Sequence, residues 1–306
     1  MTSRPGVSPT PDPATAEPPQ TAFRLGLIGR GIDHSLAPAF HTLAGRMLGL
    51  DVSYELLPRE SPLSAELDGL LEELGRAGYR GVNITVPFKA SAWQASSNVA
   101  DEVVTTGVAN TLLLGPLGPT NAFNTDFSGF KRAYRGRFAD ALPGTVALLG
   151  AGGVGTATAA ALVDLGALVI RIYDVLADRS HALAEALRRR NPMLRVDVAT
   201  SAEDAVDGVD GVVNGTPVGM YLQPSAPVDL AVIGEQRWIF DAIYSPIETE
   251  LMARAAEMKL ARITGFDLFM GQGIDAFQLF TGHLLAPGVV DQLEARMRVL
   301  EAERKL

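Results

Sequence analysis

Residues 145–166 read TVALLGAGGVGTATAAALVDLG, and this stretch decides the fold of the second half of the chain. The apolar run 146–149 predicts a buried strand, and 156–165 predicts the helix that follows it. A glycine-rich turn joins the two. This turn consists of Gly150, Ala151, Gly152, Gly153, Val154 and Gly155.

Each glycine of this turn is needed for a different physical reason. Gly150 permits the tight turn, and Gly152 permits close approach of the backbone to a pyrophosphate. Gly155 permits close packing of the helix on the strand, while free N–H groups at the helix N-terminus supply positive potential. Strand, glycine turn and helix in this order predict a Rossmann dinucleotide-binding site.

An acidic residue supports this prediction and bears on the choice of cofactor. Asp174 ends the next predicted strand, 168–173, about twenty residues beyond the glycines, where an acid accepts hydrogen bonds from the adenosine ribose. A carboxylate there repels a 2′-phosphate, so we expect NAD to be favoured over NADP. Arg179, the nearest downstream cation, offers partial compensation for a phosphate, but a solvated position at a helix start is the simpler interpretation.

Strands and helices alternate twice along the chain. The first alternation predicts an α/β domain with a mostly parallel sheet covered on both faces, and the second predicts the Rossmann sheet. A connecting region, 124–144, separates them, and after residue 265 the chain is helical again. The predicted strands are 23–29, 52–57, 81–86, 146–149, 168–173, 196–199, 211–214 and 238–241, with helices from 38, over 63–77, from 88, over 268–280 and from 291.

Composition excludes several classes of function. The formal net charge of −9 argues against a nucleic-acid-binding surface, which needs clustered Lys and Arg, but it permits an anionic small substrate in a local basic pocket. The absence of cysteine excludes disulfides, thiolate nucleophiles and cysteine-ligated zinc, and the four histidines show no metal-ligand spacing. No membrane span is predicted. Residues 1–22, rich in proline, are expected to form a flexible tail without a secretory signal, and the cytoplasm is the expected compartment.

Two residues are candidates for acid–base chemistry. Lys89 ends NITVPFK, at a predicted strand end, and Asp126 ends NTD, close to the start of the connecting region. Dehydrogenation of an alcohol needs a group that takes the hydroxyl proton beside the nicotinamide. Each residue also has a plain alternative, since Lys89 suits a solvated helix-start cation and Asp126 suits a helix cap. Spacing alone leaves both interpretations open.

Taken together, the motifs resemble those of the shikimate/quinate dehydrogenase family, in one order along almost the whole chain after residue 22. The ending DAFQLFTG, together with Asp174, is similar to the NAD-using quinate/shikimate branch. The matching segments besides the glycine turn are GRGIDHSLAPAFH (29–41), NITVPFK (83–89), GVANT (107–111), NTDFSG (124–129), NGTPVGM (214–220), DAIYSPIETEL (241–251) and GFDLFMGQGIDAFQLFTG (265–282).

The resemblance implies a role for particular residues. Lys89 acts as the acid/base at the reacting hydroxyl, and Asp126 hydrogen-bonds the same hydroxyl and holds the lysine. The ring-hydroxyl contacts it implies are Thr85, Asn110 and Gln272, with Ser35 and Tyr244 toward the substrate carboxylate. The residues it implies beside the nicotinamide are Thr216, Pro217, Gly219 and Met220.

The resemblance also implies the domain organisation and the partners. It divides the chain into a substrate domain, 23–125, joined by the C-terminal helices 266–306, and an NAD(P)-binding Rossmann domain, 126–265. The active site is expected in the cleft between them. We expect a small hydroxylated ring acid as substrate, no metal, no nucleic acid and no membrane, and a monomer or homodimer.

Two positions depart from the family pattern. Ala37 stands where the family has a second Ser or Thr toward the carboxylate, and Leu268 stands where methionine is usual. Loss of a hydroxyl that binds a desolvated carboxylate costs about 1.5–3 kcal/mol, whereas Leu for Met conserves volume. Three functions therefore remain: a shikimate or quinate dehydrogenase, a related dehydrogenase for another cyclic polyol or amino-shikimate analogue, and a non-catalytic ligand sensor. The retained Lys89 and Asp126 argue against the sensor.

Overall fold

The structure is a computed structural model that describes residues 22–60, 64–94, 96–220 and 223–303. Within these ranges the chain forms two six-stranded sheets flanked by helices. The expected flexible tail, 1–22, lies outside the described residues except for Ala22, which begins the first strand. No helix in the described part of the chain combines the length and apolar character needed to cross a membrane.

The first sheet is mostly parallel, as predicted. Its strands are β1 (Ala22–Gly29), β2 (Asp51–Pro58), β3 (Tyr79–Ile84), β4 (Asn98–Val99), β5 (Thr111–Gly115) and β6 (Gly118–Phe123). Their order is β2-β1-β3-β5-β6-β4, with β1 parallel to β2 and β3, and β4 parallel to β6. The short strand β4 and the β5–β6 hairpin were not predicted, and the hairpin pairs antiparallel with β3.

Two local predictions in this half were wrong. The helix expected from residue 88 is only the short 3-10 turn Phe88–Ala90, followed by a Ser- and Asn-rich stretch whose side chains compete for the backbone. The second wrong prediction is that residues 124–144 only connect the two halves of the chain. This region begins with a full helix, because Asn124 caps it by accepting from the N–H groups of Asp126 and Phe127. The helices of this half are α1 (Ala37–Met47), α2 (Ser64–Arg76), α3 (Asp101–Thr106) and α4 (Thr125–Phe138).

The strands of the second sheet are β7 (Thr145–Leu149), β8 (Val169–Tyr173), β9 (Arg195–Val198), β10 (Gly211–Asn214), β11 (Trp238–Asp241) and β12 (Ala261–Ile263). They are all parallel, in the order β12-β11-β10-β7-β8-β9, which is the Rossmann order. Strand order reverses between β7 and β10, and ligands of such sheets bind at the carboxyl ends of the strands there. The helices of this half are α5 (Gly153–Asp164), α6 (Ala177–Arg190), α7 (Ala202–Val206) and α8 (Glu250–Glu257).

The last two helices are α9 (Gly265–Thr281) and α10 (Pro287–Glu303). Helix α9 lies against α4 at a glycine contact, where a Cβ on Gly129 would come within 2.6 Å of the Gln272 nitrogen. Its other end packs on the first sheet, where Phe280 lies over Gly81. Helix α10 packs on α1. The domain boundaries 23–125, 126–265 and 266–306 stay a prediction.

Candidate active site

A cavity of about 790 Å³ lies at the carboxyl ends of strands from both sheets. Residues from β3, from the start of α4, from the glycine turn and from α9 all line it. The side chains expected to perform catalysis or contact substrate all lie on its wall: Ser35, Thr85, Lys89, Asn110, Asp126, Tyr244 and Gln272. The fold therefore brings together residues that are up to 237 positions apart in the sequence.

Lys89 and Asp126 form an ion pair in this cavity, with 2.5 Å between Nζ and Oδ2. Their side chains are 13% and 4% exposed, so Lys89 is not a solvated surface cation. Nor does Asp126 cap α4, because Asn124 holds that position. Both plain alternatives are thus excluded, and a largely buried lysine–carboxylate pair faces the cavity.

The amide of Asn110 has a fixed orientation. Its Oδ1 accepts from the Thr125 N–H at 2.7 Å and from the hydroxyls of Thr125 and Thr111 at 3.1 Å each. Its Nδ2 donates to Gln272 Oε1 at 3.3 Å. Asn110 and Gln272 therefore both present N–H donors toward a ligand. Thr111 and Thr125 were not predicted as site residues, although each directly follows or precedes a candidate residue in GVANT and NTD.

The hydroxyl of Ser35 lies at the start of α1. Its Oγ accepts from the Ala37 N–H at 3.2 Å, which leaves its own proton free to donate to a ligand. Ala37 also lines the cavity and adds only a methyl group. Tyr244 stacks on Phe269 with ring centroids 5.6 Å apart. This part of the wall combines the Ser35 hydroxyl, two residues before α1, with the Tyr244 ring.

The glycine turn has the geometry that a pyrophosphate requires. Gly150 has φ +91°, and a Cβ on Gly155 would lie 1.9 Å from the Gly150 oxygen. A Cβ on Gly152 would meet nothing within 4 Å, so the backbone there is open to a ligand. Among the described residues no side chain caps α5, and its second residue, Val154, lines the cavity. Backbone N–H groups thus remain available beside the lysine, since a Cβ on Gly153 would lie 3.4 Å from Lys89 Cδ.

Asp174 is anchored to this turn. Its Oδ2 accepts from the Ala151 N–H and its Oδ1 from the Leu176 N–H, both at 2.8 Å. Each carboxylate oxygen keeps a further lone pair for a ribose hydroxyl. Arg179 lies exposed in the first turn of α6. The arrangement fits the ribose diol of NAD, and it opposes a 2′-phosphate with a fixed negative charge.

Segment 214–220 is held by a buried polar cluster that its motif did not predict. Asn214 Oδ1 accepts from the N–H and hydroxyl of Thr216, and its Nδ2 donates to the Val218 oxygen and to Asp241 Oδ1, both at 3.0 Å. Asp241 Oδ2 accepts from the Thr249 hydroxyl at 2.7 Å. Burial raises the pKa of the Asp241 carboxyl to about 6, although these hydrogen bonds lower it.

The four predicted residues of this segment have different surroundings. The hydroxyl of Thr216 is turned inward to Asn214, while Met220 lines the cavity with 42% of its surface exposed. Gly219 has φ +112°, a conformation that favours glycine, and it follows Pro217 by two residues. Met220 is thus the member of the segment whose side chain borders the cavity.

Comparison with known proteins gives the same family as the motifs. Residues 27–112 match the family model described as the shikimate dehydrogenase substrate binding domain. A quinate/shikimate dehydrogenase (NAD(+)) of Corynebacterium glutamicum is 35% identical over 263 residues, covering 84% of this chain and 93% of that protein. The chain belongs to the shikimate/quinate dehydrogenase family. A shikimate dehydrogenase (NADP(+)) of an Arthrobacter species is 36% identical, covering 85% of this chain and 90% of its own.

Solved structures of the shikimate/quinate dehydrogenase family share the architecture. Quinate dehydrogenase from Corynebacterium glutamicum in complex with NAD superposes with a TM-score of 0.81 at 32% identity, covering 91% of this chain and 99% of that chain. Shikimate 5-dehydrogenase from Thermus thermophilus in complex with NADP(H) and shikimate has a TM-score of 0.76 at 34% identity, covering 90% and 99%. The predicted family and α/β fold class are confirmed.

Proposed function

We propose that this chain is an NAD(P)-dependent dehydrogenase that interconverts shikimate with 3-dehydroshikimate, and quinate with 3-dehydroquinate. The observation that carries the proposal is the largely buried Lys89–Asp126 pair, which faces a cavity beside the N-terminus of α5. A lysine paired with a carboxylate at this position suits a reaction that moves a proton at the ligand. The similarity to enzymes named for these substrates supports the choice of ring acid.

In the proposed reaction the cofactor transfers the hydride and the protein transfers the proton. A bound nicotinamide supplies or accepts the hydride at the ring carbon. In the reductive direction Lys89, as an ammonium, donates a proton to the ketone oxygen, and the neutral amine remains. In the oxidative direction the amine takes the hydroxyl proton as the carbonyl forms. Asp126 holds Nζ at 2.5 Å, so the proton donor stays aimed at the reacting oxygen.

Orientation of the ring follows from the hydrogen-bond donors on the wall. Asn110 and Gln272 offer N–H groups to ring hydroxyls, because their carbonyl oxygens are occupied or turned inward. Thr85 adds a hydroxyl on the same wall, and Ser35 and Tyr244 face the carboxylate in this pose. Two amides and three hydroxyls around the ring favour one orientation of a hydroxylated ring.

NAD is the favoured cofactor in this proposal. Asp174 is held by two backbone N–H groups, so its charge cannot easily turn away from a 2′-phosphate. We retain the cytoplasm as the expected compartment and a monomer or homodimer as the expected state.

A dehydrogenase for another cyclic polyol or an amino-shikimate analogue is the second candidate. The observation that favours it is Ala37, whose methyl group stands on the cavity wall where the family has a hydroxyl. A substrate without a carboxylate in that orientation would lose nothing from this change.

The test is a turnover assay that combines shikimate and quinate with NAD and NADP. The proposal expects reduction of NAD with at least one of the two acids. If both acids are inert with both cofactors while an amino-shikimate analogue turns over, the second candidate replaces the first. Absence of turnover with ligand binding intact would support the sensor.

A further inference from the structure

The charged side chains on the cavity wall are few and nearly balanced. Lys89 is already paired with Asp126, and Glu301 of α10 contributes a second, buried carboxylate. Burial lowers the pKa of the His41 imidazole on this wall to about 3, so it stays neutral at ordinary pH. A further cation on this wall would stabilise a bound anionic ring acid in this acidic protein.

Arg30 supplies a further positive charge on this wall. It lines the cavity, is exposed, and directly follows β1. Among the residues that the structure describes, its guanidinium has no hydrogen-bond or ion-pair partner. Its backbone N–H donates to the Val86 oxygen at 2.9 Å, which fixes the Arg30 backbone beside the end of β3. The Arg30 backbone is thus fixed, while its guanidinium is available to a ligand in the cavity.

The turn between Arg30 and Ser35 brings both residues to the same wall. Gly31 has φ +63°, and the Ser35 N–H donates to the Ile32 oxygen at 2.8 Å, which closes the turn. Ala37 follows on α1. The cation, the single hydroxyl and the position that lacks a hydroxyl therefore belong to one short segment of the cavity wall.

We infer that Arg30 is a specificity-determining residue that binds the substrate carboxylate and compensates for the hydroxyl missing at Ala37. The inference rests on the proposed function, because it assumes an anionic ring acid. A guanidinium presents paired N–H donors that match the two oxygens of a carboxylate, whereas a lysine acts only as a point charge. Arg30 is argued to contribute to binding and not to the proton transfer.

The experiment compares Arg30→Ala and Arg30→Lys with a matched control, Arg59→Ala. Arg59 is also exposed, and its N–H donates to the Gly29 oxygen next to Arg30, but its side chain lies outside the cavity wall. Binding of shikimate is measured by calorimetry without dinucleotide, and KM and kcat are measured with it. Methyl shikimate, which lacks the negative charge, serves as the matched ligand.

Arg30→Ala is expected to weaken shikimate binding by about five- to twentyfold and to raise KM similarly, with kcat and NAD affinity unchanged. Arg30→Lys is expected to recover part of the loss. Arg59→Ala should change shikimate binding by less than about twofold, since a distant exposed charge is screened by salt. Methyl shikimate should bind wild type and Arg30→Ala equally.

Three results would overturn the inference: unchanged shikimate affinity in Arg30→Ala, an equal loss for the methyl ester, or a loss of NAD affinity in place of shikimate affinity. These results are separate from failure of the proposed function. That failure would appear as absence of turnover in the wild-type protein, and the calorimetric comparison of shikimate with its ester would still decide the role of Arg30.

Discussion

Substitution of Asp241 by Asn tests the buried cluster that holds segment 214–220. Asp241 is fully buried at the end of β11, and burial raises the pKa of its carboxyl from 3.8 to about 6. A pKa that is higher in the folded state means that folding favours the protonated form. The stabilisation from this proton is fully present below pH 4 and is lost as the pH rises through about 6.

The magnitude follows from the size of the pKa change. A rise in pKa from 3.8 to about 6 means that the free energy of unfolding of the parent protein falls by about 3 kcal/mol between low and high pH. Asp241→Asn removes the titration and keeps an oxygen for the Ile243 N–H and for Asn214. Its new N–H₂ group faces the Thr249 hydroxyl, which must reorient to accept, so a constant offset in stability is expected. That offset does not change how the free energy of unfolding depends on pH.

The assay is urea unfolding of Asp241→Asn and the parent protein from pH 4 to pH 8, both in a Trp93→Phe background. Trp238 lies on the same strand as Asp241 and then reports unfolding of the second sheet. The free energy of unfolding of the variant, relative to the parent, should rise by about 3 kcal/mol across this range. Asp207→Asn, at an exposed position, is the matched control for loss of one negative charge. A relative stability that stays flat or falls with pH would refute the argument.

Three further predictions concern the ligands. Wild-type protein should show higher kcat/KM with NAD than with NADP, and Asp174→Ser should narrow that ratio; a native preference for NADP would contradict the role of Asp174. Ala37→Ser, at the first residue of α1, should lower KM for shikimate by up to about tenfold without changing kcat, and unchanged or poorer kinetics would favour the second candidate function. Gly155→Ala should destabilise the fold because its Cβ meets a backbone oxygen, whereas Gly152→Ala should keep the parent's stability and weaken dinucleotide binding; equal thermal stability of both variants would refute this distinction.

Strong apolar patterns allowed much of the second sheet to be predicted. The bounds of β10 and β11 were predicted at 211–214 and 238–241, as observed, because each strand is a short buried run that ends in a polar residue. The β5–β6 hairpin was missed, since its glycine- and proline-rich turn at 115–119 interrupts two short strands of weak pattern. Helix α4 was missed because its capping signal, Asn124, lay within a segment interpreted as part of a catalytic motif.

Site residues that belong to a recognisable sequence motif could be predicted, and site residues that act only through packing contacts could not. Lys89 and Asp126 were chosen from their segments, and the fold joins them in one ion pair. Thr125 and Asp241 act through other side chains, and such roles depend on contacts between residues that are far apart in the sequence. Spacing cannot reveal those contacts, because they exist only once both sheets have formed.

Proton transfer by Lys89 is tested by the kcat of Lys89→Ala on whichever of shikimate and quinate wild type turns over faster, with NAD affinity measured on the same preparation. We expect loss of turnover by a factor of at least about 100, with NAD binding within about twofold of wild type. The glycine turn and Asp174 do not depend on the Lys89 side chain for their hydrogen bonds. A variant that retains near-normal kcat would contradict the role of Lys89 as the proton donor and acceptor.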